Sequence, residues 1–308
     1  MSLKKSKKKL VVIAGPTAVG KTNISIKLAK QFVTEIISAD SRQFYREMKI
    51  GTAAPSKEEM NEIQHHFIGN LSVKDEYSAG KFERDCLITL ESIFREKDVV
   101  IMCGGSGLFI DAVTNGLDKF PKVEPGIRDE INLNFQERGL LWLQEEVKKN
   151  DPDYFEIVDK QNHQRLLRAL EIYLSSGKPY SNYRKKALKE RNFEILKIML
   201  MDDRNILYQK IENRVDRMME NGLLDEVKSL IPYKNFNPLN TVGYKELFDF
   251  LDGKLNLEMA VSKIKQNSRR YAKRQITWFR NSANYITYSP SDLDKIIYHI
   301  NSFSQQQY

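Results

Sequence analysis

Short apolar runs alternate with longer stretches of helical periodicity over the first hundred residues. Leu10-Val11-Val12-Ile13-Ala14 is unbroken by any polar residue and predicts a buried strand. From Lys21 to about Phe32 apolar side chains recur at Ile24, Leu28 and Phe32, the spacing of one helix face. Glu35-Ile36-Ile37-Ser38-Ala39 predicts a second buried strand, ending at Asp40. A helical stretch follows from roughly Ala79 to Glu96, with Phe82, Leu87, Leu90 and Phe94 apolar. Asp98-Val99-Val100-Ile101-Met102-Cys103 predicts a third strand, stopped by Gly104-Gly105-Ser106-Gly107. Strands alternating with helices indicate an α/β fold, a parallel sheet flanked by helices.

From about Asp118 to Arg191 the pattern changes. Strand signals vanish, and helical spacing with many charges dominates, as in Ile127–Lys149 and His163–Ser175. This stretch, 118–191, reads as a helical insertion domain. Asn192–Leu200 is strand-like again, so the chain re-enters the sheet there. The core is thus 1–117 plus 192–308. Its last part is mostly helical to about Asn281, and Ser302–Tyr308 reads as a frayed polar tail.

The junction of the first strand and first helix carries the sharpest motif. Gly15-Pro16-Thr17-Ala18-Val19-Gly20-Lys21-Thr22 fits G-x-x-x-x-G-K-[ST] in its required strand–loop–helix context, so the sheet is P-loop NTPase-like. Glycines let backbone N–H groups turn onto phosphate oxygens, Lys21 adds a positive charge, and the helix N-terminus adds its dipole. The Thr22 hydroxyl is placed to ligate Mg²⁺. Right-handed crossovers put the ends of parallel strands on one edge, so Asp40 and Ser106 should face the same crevice as the loop. For Asp40 the readings are metal ligand, proton acceptor or turn cap; for Ser106, a site hydroxyl or a turn hydroxyl. The strand ending at Cys103 runs into Gly104-Gly105 where an NTPase should offer a Mg²⁺-binding Asp, and no N-K-x-D motif occurs. A transferase fits better than a hydrolysing motor.

Charge narrows the partner. The 308 residues carry a formal net charge of +8. Between Glu258 and Arg280 lie Lys263, Lys265, Arg269, Arg270, Lys273, Arg274 and Arg280, opposed by Glu258 alone. A solvated helix normally mixes signs, so this segment favours phosphate contacts. The lysines at 4, 5, 7, 8 and 9 resemble a secretory n-region, but the apolar run behind them is too short and ends in the phosphate loop. No apolar run approaches the roughly 18 residues of a membrane span. A cytoplasmic protein is expected. Cys86 and Cys103 lack metal-ligand spacing and read as inert thiols.

Five stretches, in order over nearly the whole chain, together resemble the tRNA dimethylallyltransferase (tRNA isopentenyltransferase) family of bacterial type. They are Gly15–Thr22; Ser38-Ala39-Asp40-Ser41-Arg42-Gln43 through Ile50-Gly51-Thr52-Ala53; Tyr77-Ser78-Ala79-Gly80-Lys81-Phe82; Gly104–Phe109; and Thr241-Val242-Gly243-Tyr244 with Lys273–Arg280. The resemblance implies transfer of a dimethylallyl group from dimethylallyl diphosphate to N6 of adenine 37, in tRNAs reading codons that start with U, with diphosphate released. It implies that Gly15–Thr22 holds the diphosphate, that Asp40 is the general base, and that Lys21 and Mg²⁺ stabilise the departing charge. Ser106 and Arg214 carry over as catalytic positions. The tRNA contacts it implies are Asp40, Ser41, Arg42, Gln43, Ser106, Arg128, Gln164, Arg165, Leu166, Leu167, Arg168, Gly243, Tyr244, Lys245, Lys273, Arg274, Gln275, Trp278 and Arg280. The insertion would grip the anticodon stem-loop, and no stable protein partner is evident, so a monomer is expected.

The chain departs from the family pattern at Phe109, usually Tyr, and at Phe67-Ile68-Gly69, where a carboxylate is often found. His65 and His66, adjacent in a strand, would point to opposite faces, which argues against a shared metal. Three other readings remain: a small-molecule kinase with Asp40 on the acceptor, an RNA-binding module whose loop senses nucleotide, and prenylation of free adenine nucleotides. The long helical insertion and basic C-terminal segment favour tRNA over these.

Overall fold

The computed structural model describes residues 8–185 and 188–303. The lysines at 4, 5 and 7 and the polar tail from 304 onward lie outside the described residues. Six strands form one parallel sheet in the order β3-β2-β4-β1-β5-β6: β1 Lys9–Ala14, β2 Ile36–Ser38, β3 His65–His66, β4 Val99–Gly104, β5 Glu194–Leu200 and β6 Tyr285–Tyr288. The α/β fold expected from the alternating pattern is present. Two strands escaped that pattern. β3 is two residues long, and β6 alternates no apolar residues of its own, gaining its extended form by pairing with β5 through Lys197–Leu200.

The helices in chain order are α1 Lys21–Gln31, α2 Lys57–Glu62, α3 Ala79–Ile93, α4 Gly107–Thr114, α5 Pro125–Asn150, α6 Pro152–Ile157, α7 His163–Ser176, α8 Arg204–Glu220, α9 Leu223–Ser229, α10 Tyr244–Leu251, α11 Leu257–Asn281 and α12 Leu293–Ser302. Alternation along β1 sorts the two faces. Leu10, Val12 and Ala14 enter one core with residues of α3, α4, α9, α10 and α11, while Val11 and Ile13 enter the other with α1 and α12. A sheet covered on both faces favours unbroken apolar strands; β1 and β4 have them in their interiors, while β5 carries one buried charged residue, Lys197.

Connectivity positions the site. From β1 the chain moves out to β2, then back to β4, which abuts β1; after the insertion it continues on β1's other side at β5. The loop after β1 therefore sits where the order reverses, the place where a crevice opens at the carboxyl ends of the strands.

The described residues divide into two compact units, 1–114 with 190–308, and 115–189. The smaller unit has its own core of Ile131, Trp142, Leu143, Val147, Tyr154, Leu166, Leu167 and Leu170. Its long helix α5 is interrupted at Gly139 (φ 74°). Leu166 and Leu167 are 0% and 6% exposed, so the sequence expectation that they touch tRNA is corrected: they face inward on α7 and hold α5 against it.

Candidate active site

The loop Gly15–Thr22 runs from the buried end of β1 into α1. Gly20 has φ 101°, a turn that a Cβ would strain, and it starts α1 with the helix N-terminus toward the crevice. Lys21 Nζ donates to the Pro16 carbonyl across the loop at 2.8 Å. Desolvation pushes the Lys21 ammonium down to about 8, against the favourable charges of Cys103 and Asp40, with the Arg214 guanidinium lowering it further. The loop thus holds a cation that is costly without an anion beside it.

The Thr17 N–H donates to Gln275 Oε1 (2.9 Å), and Gln275 Nε2 donates to the Gly105 carbonyl (3.0 Å). Gln275, 5% exposed on α11, braces the phosphate loop against the turn after β4. It also lines the smaller of two neighbouring cavities.

Two cavities open on this edge. The smaller, about 410 Å³, is lined by the loop residues Thr17, Ala18, Gly20, Lys21 and Thr22 together with Ser38 and Cys103. The larger, about 530 Å³, is lined by Ser41, Arg42, Gly51, Thr52, Asn240, Gly243, Lys245, Asn267 and Arg274 among others. Thr17, Asp40, Arg214 and Tyr271 line both. These four form a shared wall.

Each of the four is held by a different element. Asp40 follows β2, and its Oδ1 accepts the Arg42 N–H at 3.0 Å. Arg214, on α8, donates from Nη2 to the Thr52 carbonyl at 3.2 Å, and burial disfavours its charge while Asp40 supports it. Tyr271, on α11, has its phenol pushed up to about 12 by desolvation and then by the Asp40 charge, so it stays protonated at neutral pH; the neighbouring Ser106 hydroxyl opposes the shift. Sequence reasoning missed Tyr271. Its one signal was an aromatic side chain set among the basic residues of α11, with the Arg274 guanidinium 5.7 Å from its ring centre.

Ser106 lines neither cavity. Its hydroxyl accepts the Ser41 N–H at 2.9 Å and donates to Ser41 Oγ at 3.1 Å, so it supports the wall from behind. Tyr244 is fully buried, its hydroxyl on Glu226 at 2.7 Å, which corrects the expectation that its side chain meets tRNA. Buried Glu246 accepts the Gly243 N–H (2.8 Å) and the Asn267 amide (2.7 Å), fastening α10 to α11 beside the larger cavity.

The basic stretch on α11 is partly neutralised. Lys265 pairs with Asp216 and Arg269 with Glu212, both on α8. Lys263, Arg270, Lys273, Arg274 and Arg280 have no ion pair among the described residues. Trp278 donates its indole N–H to Asp111 on α4 at 2.9 Å. In the smaller unit Glu171 binds both Arg128 and Arg168 at 3.0 Å, while Gln164 and Arg165 are exposed. Cys86 is fully buried, whereas Cys103 lies in the wall of the smaller cavity near Lys21; burial pushes both thiols up. His66 pairs with Glu35 at 2.5 Å, and His65 bonds the Ile63 carbonyl and lines the smaller cavity.

The family model described as IPP transferase matches residues 43–282. The chain belongs to the IPP transferase family. It is 54% identical over 271 residues to the tRNA dimethylallyltransferase of Christiangramia forsetii, covering 88% of this chain and 90% of that one. To the tRNA dimethylallyltransferase of Flavobacterium johnsoniae it is 46% identical over 301 residues, covering 95% and 97%. Among solved structures, the tRNA isopentenylpyrophosphate transferase of Bacillus halodurans superposes with a TM-score of 0.70 at 37% identity, covering 97% and 96%. A eukaryotic dimethylallyltransferase acting on tRNA gives a TM-score of 0.81 at 28% identity, covering 98% of this chain and 80% of that one. The family match runs through the smaller unit, 115–189. No helix among the described residues of this IPP transferase family member is long and apolar enough to cross a membrane.

Proposed function

We propose that this chain transfers a dimethylallyl group from dimethylallyl diphosphate to N6 of adenine 37 in tRNAs reading codons that start with U. The observation that carries the reading is the wall of Thr17, Asp40, Arg214 and Tyr271 shared by two cavities, one bordered by a phosphate loop and the other by Arg42, Lys245 and Arg274. A donor gripped by its diphosphate and an acceptor base would meet at that wall.

The diphosphate sits on Gly15–Thr22, where Lys21 and Arg214 face its growing negative charge as the carbon–oxygen bond breaks. The adenine amine is a weak nucleophile because its lone pair is delocalised into the ring. Asp40 accepts its proton as the carbon–nitrogen bond forms, and diphosphate leaves. Protonated Tyr271 and Arg214 share the Asp40 wall, and the Arg42 N–H on Oδ1 holds the carboxylate.

Magnesium fits the donor set. Mg²⁺ keeps water and substrate phosphate oxygens and asks few ligands of the protein, and Thr22 supplies a hydroxyl in the first turn of α1 on the cavity wall. When bound there it would neutralise diphosphate charge.

The acceptor base lies in a loop and must be drawn out of its stack to reach the larger cavity. Lys273, Arg274 and Arg280 on α11, which have no ion pair among the described residues, and exposed Gln164 and Arg165 in the insertion are the candidates for the RNA backbone. A monomer acting in the cytoplasm completes the reading. The test is incubation of the purified protein with dimethylallyl diphosphate, Mg²⁺ and an anticodon stem-loop containing adenine 37, followed by mass spectrometry of the nucleosides. N6-alkylated adenine is the expected product, and its absence with wild-type protein overturns the reading.

A further inference from the structure

The segment Lys49–Ala53 has no helix or strand, yet it builds site walls. Gly51 and Thr52 line the larger cavity, and Ala53 lines the smaller. One carboxylate outside both cavities holds this segment. Glu226, on α9, accepts the Lys49 N–H (2.9 Å) and the Ile50 N–H (2.8 Å) on Oε2. Its Oε1 accepts the Gly51 N–H (3.0 Å) and the Tyr244 hydroxyl (2.7 Å). The buried Tyr244 ring fills the place a side chain at 51 would need: a Cβ there would lie 2.5 Å from the ring.

The next residue carries this restraint to the shared wall. The Thr52 carbonyl, one residue beyond the last amide that Glu226 holds, accepts from Arg214 Nη2 (3.2 Å) and Gln43 Nε2 (3.3 Å). Gln43 Nε2 also donates to the Ala53 carbonyl at 3.2 Å. The chain of contact is Glu226, three consecutive amides, the Thr52 carbonyl, then Arg214.

We propose that Glu226 is a positioning residue for the transfer reaction: by fixing the backbone at Lys49–Gly51 it sets the Thr52 carbonyl that orients Arg214. This role rests on the prenyl-transfer reading. A carboxylate is required because four donors converge on it, and an ionised carboxylate accepts everywhere and donates nowhere. Glutamine offers a single acceptor oxygen. Its amide would turn N–H toward N–H at Lys49 and Ile50, or leave the Gly51 amide unpaired. Glu226 has no ion pair among the described residues, so its charge is held by these hydrogen bonds.

The experiment compares wild type with E226Q and E226D in the full chain, using dimethylallyl diphosphate and the adenine 37 stem-loop. E226Q should lower kcat about 10- to 100-fold, the loss expected of a misplacement near 1 Å at a reacting centre. Its donor KM should stay within about threefold, because the phosphate loop is untouched. Its melting temperature should fall by a few degrees at most, and hydrogen exchange at the Ile50 and Gly51 amides should speed up. E226D keeps two acceptor oxygens on a shorter stem and should recover part of kcat. E226Q with wild-type kcat, or a kcat loss matched by the loss of folded protein, overturns the role while leaving prenyl transfer standing. An inactive wild type overturns the transfer reading and this role with it.

Discussion

The two cavities on the carboxyl edge of the sheet share a wall and differ in what completes it. The smaller adds Ala18, Gly20, Lys21 and Thr22 from one contiguous loop whose shape follows from its own glycines and the helix that starts inside it, with Ser38, Cys103 and Gln275 from other elements. The larger draws on Asp40–Arg42, Gly51–Thr52, α8, Asn240–Glu246 and α11, segments more than two hundred residues apart at their extremes. On the proposed reading the diphosphate meets backbone amides and one lysine, while the nucleobase needs walls brought in from several elements, which the carboxylates of Glu226 and Glu246 hold in place.

If Asp40 serves both cavities from their shared wall, Asp40→Asn should lower kcat by about 10²- to 10⁴-fold, the range for loss of a general base. RNA affinity should stay within a few-fold in a filter-binding assay; near-full turnover would break the picture of a joint wall. Lys21→Met tests the donor side alone. Loss of a charge-assisted contact should weaken donor binding by about 10- to 150-fold. Stem-loop affinity, measured without donor, should not move.

The pH dependence of donor binding sharpens the same side. Lys21 titrates near 8 in the free protein because burial disfavours its charge, and an adjacent diphosphate favours the protonated form. The cation is therefore present below 8 and lost above it. Donor affinity should fall about tenfold between pH 7 and pH 9, and Lys21→Arg, which stays protonated, should flatten the profile. The smallest effect belongs to the acceptor side. Arg274→Ala should weaken stem-loop binding by about threefold to tenfold and reduce its salt dependence by about one phosphate contact, with donor binding unchanged.

The same contrast separates what the residue order makes legible from what it hides. The phosphate loop, the strands β1, β2, β4 and β5 and the α/β class were legible because periodicity and glycine placement act over neighbouring residues. β6 was not, since Tyr285–Tyr288 becomes a strand through its pairing with β5. Leu166 and Leu167 look like any other part of a charged helix in a motif, yet their side chains close the core of the smaller unit. Gln275 and Tyr244 sit inside matching motifs too, and they face inward to brace a loop and to fill the space beside Gly51. A motif states that a residue is needed and is silent on which way it points.

The sequence alone determined the α/β sheet, the phosphate loop and the placement of Asp40 at a strand end, because each depends on local backbone rules and on right-handed crossovers. Tertiary structure decided the rest of the site. Arg214, which the resemblance had already named, is brought beside Tyr271 by α8 and α11 packing against the strand ends, Glu226 comes in on α9, and burial there shifts the proton affinities of Lys21 and Tyr271. Desolvation and long-range hydrogen bonds have no signature in the order of residues, since they depend on what folding brings to within about 3 Å.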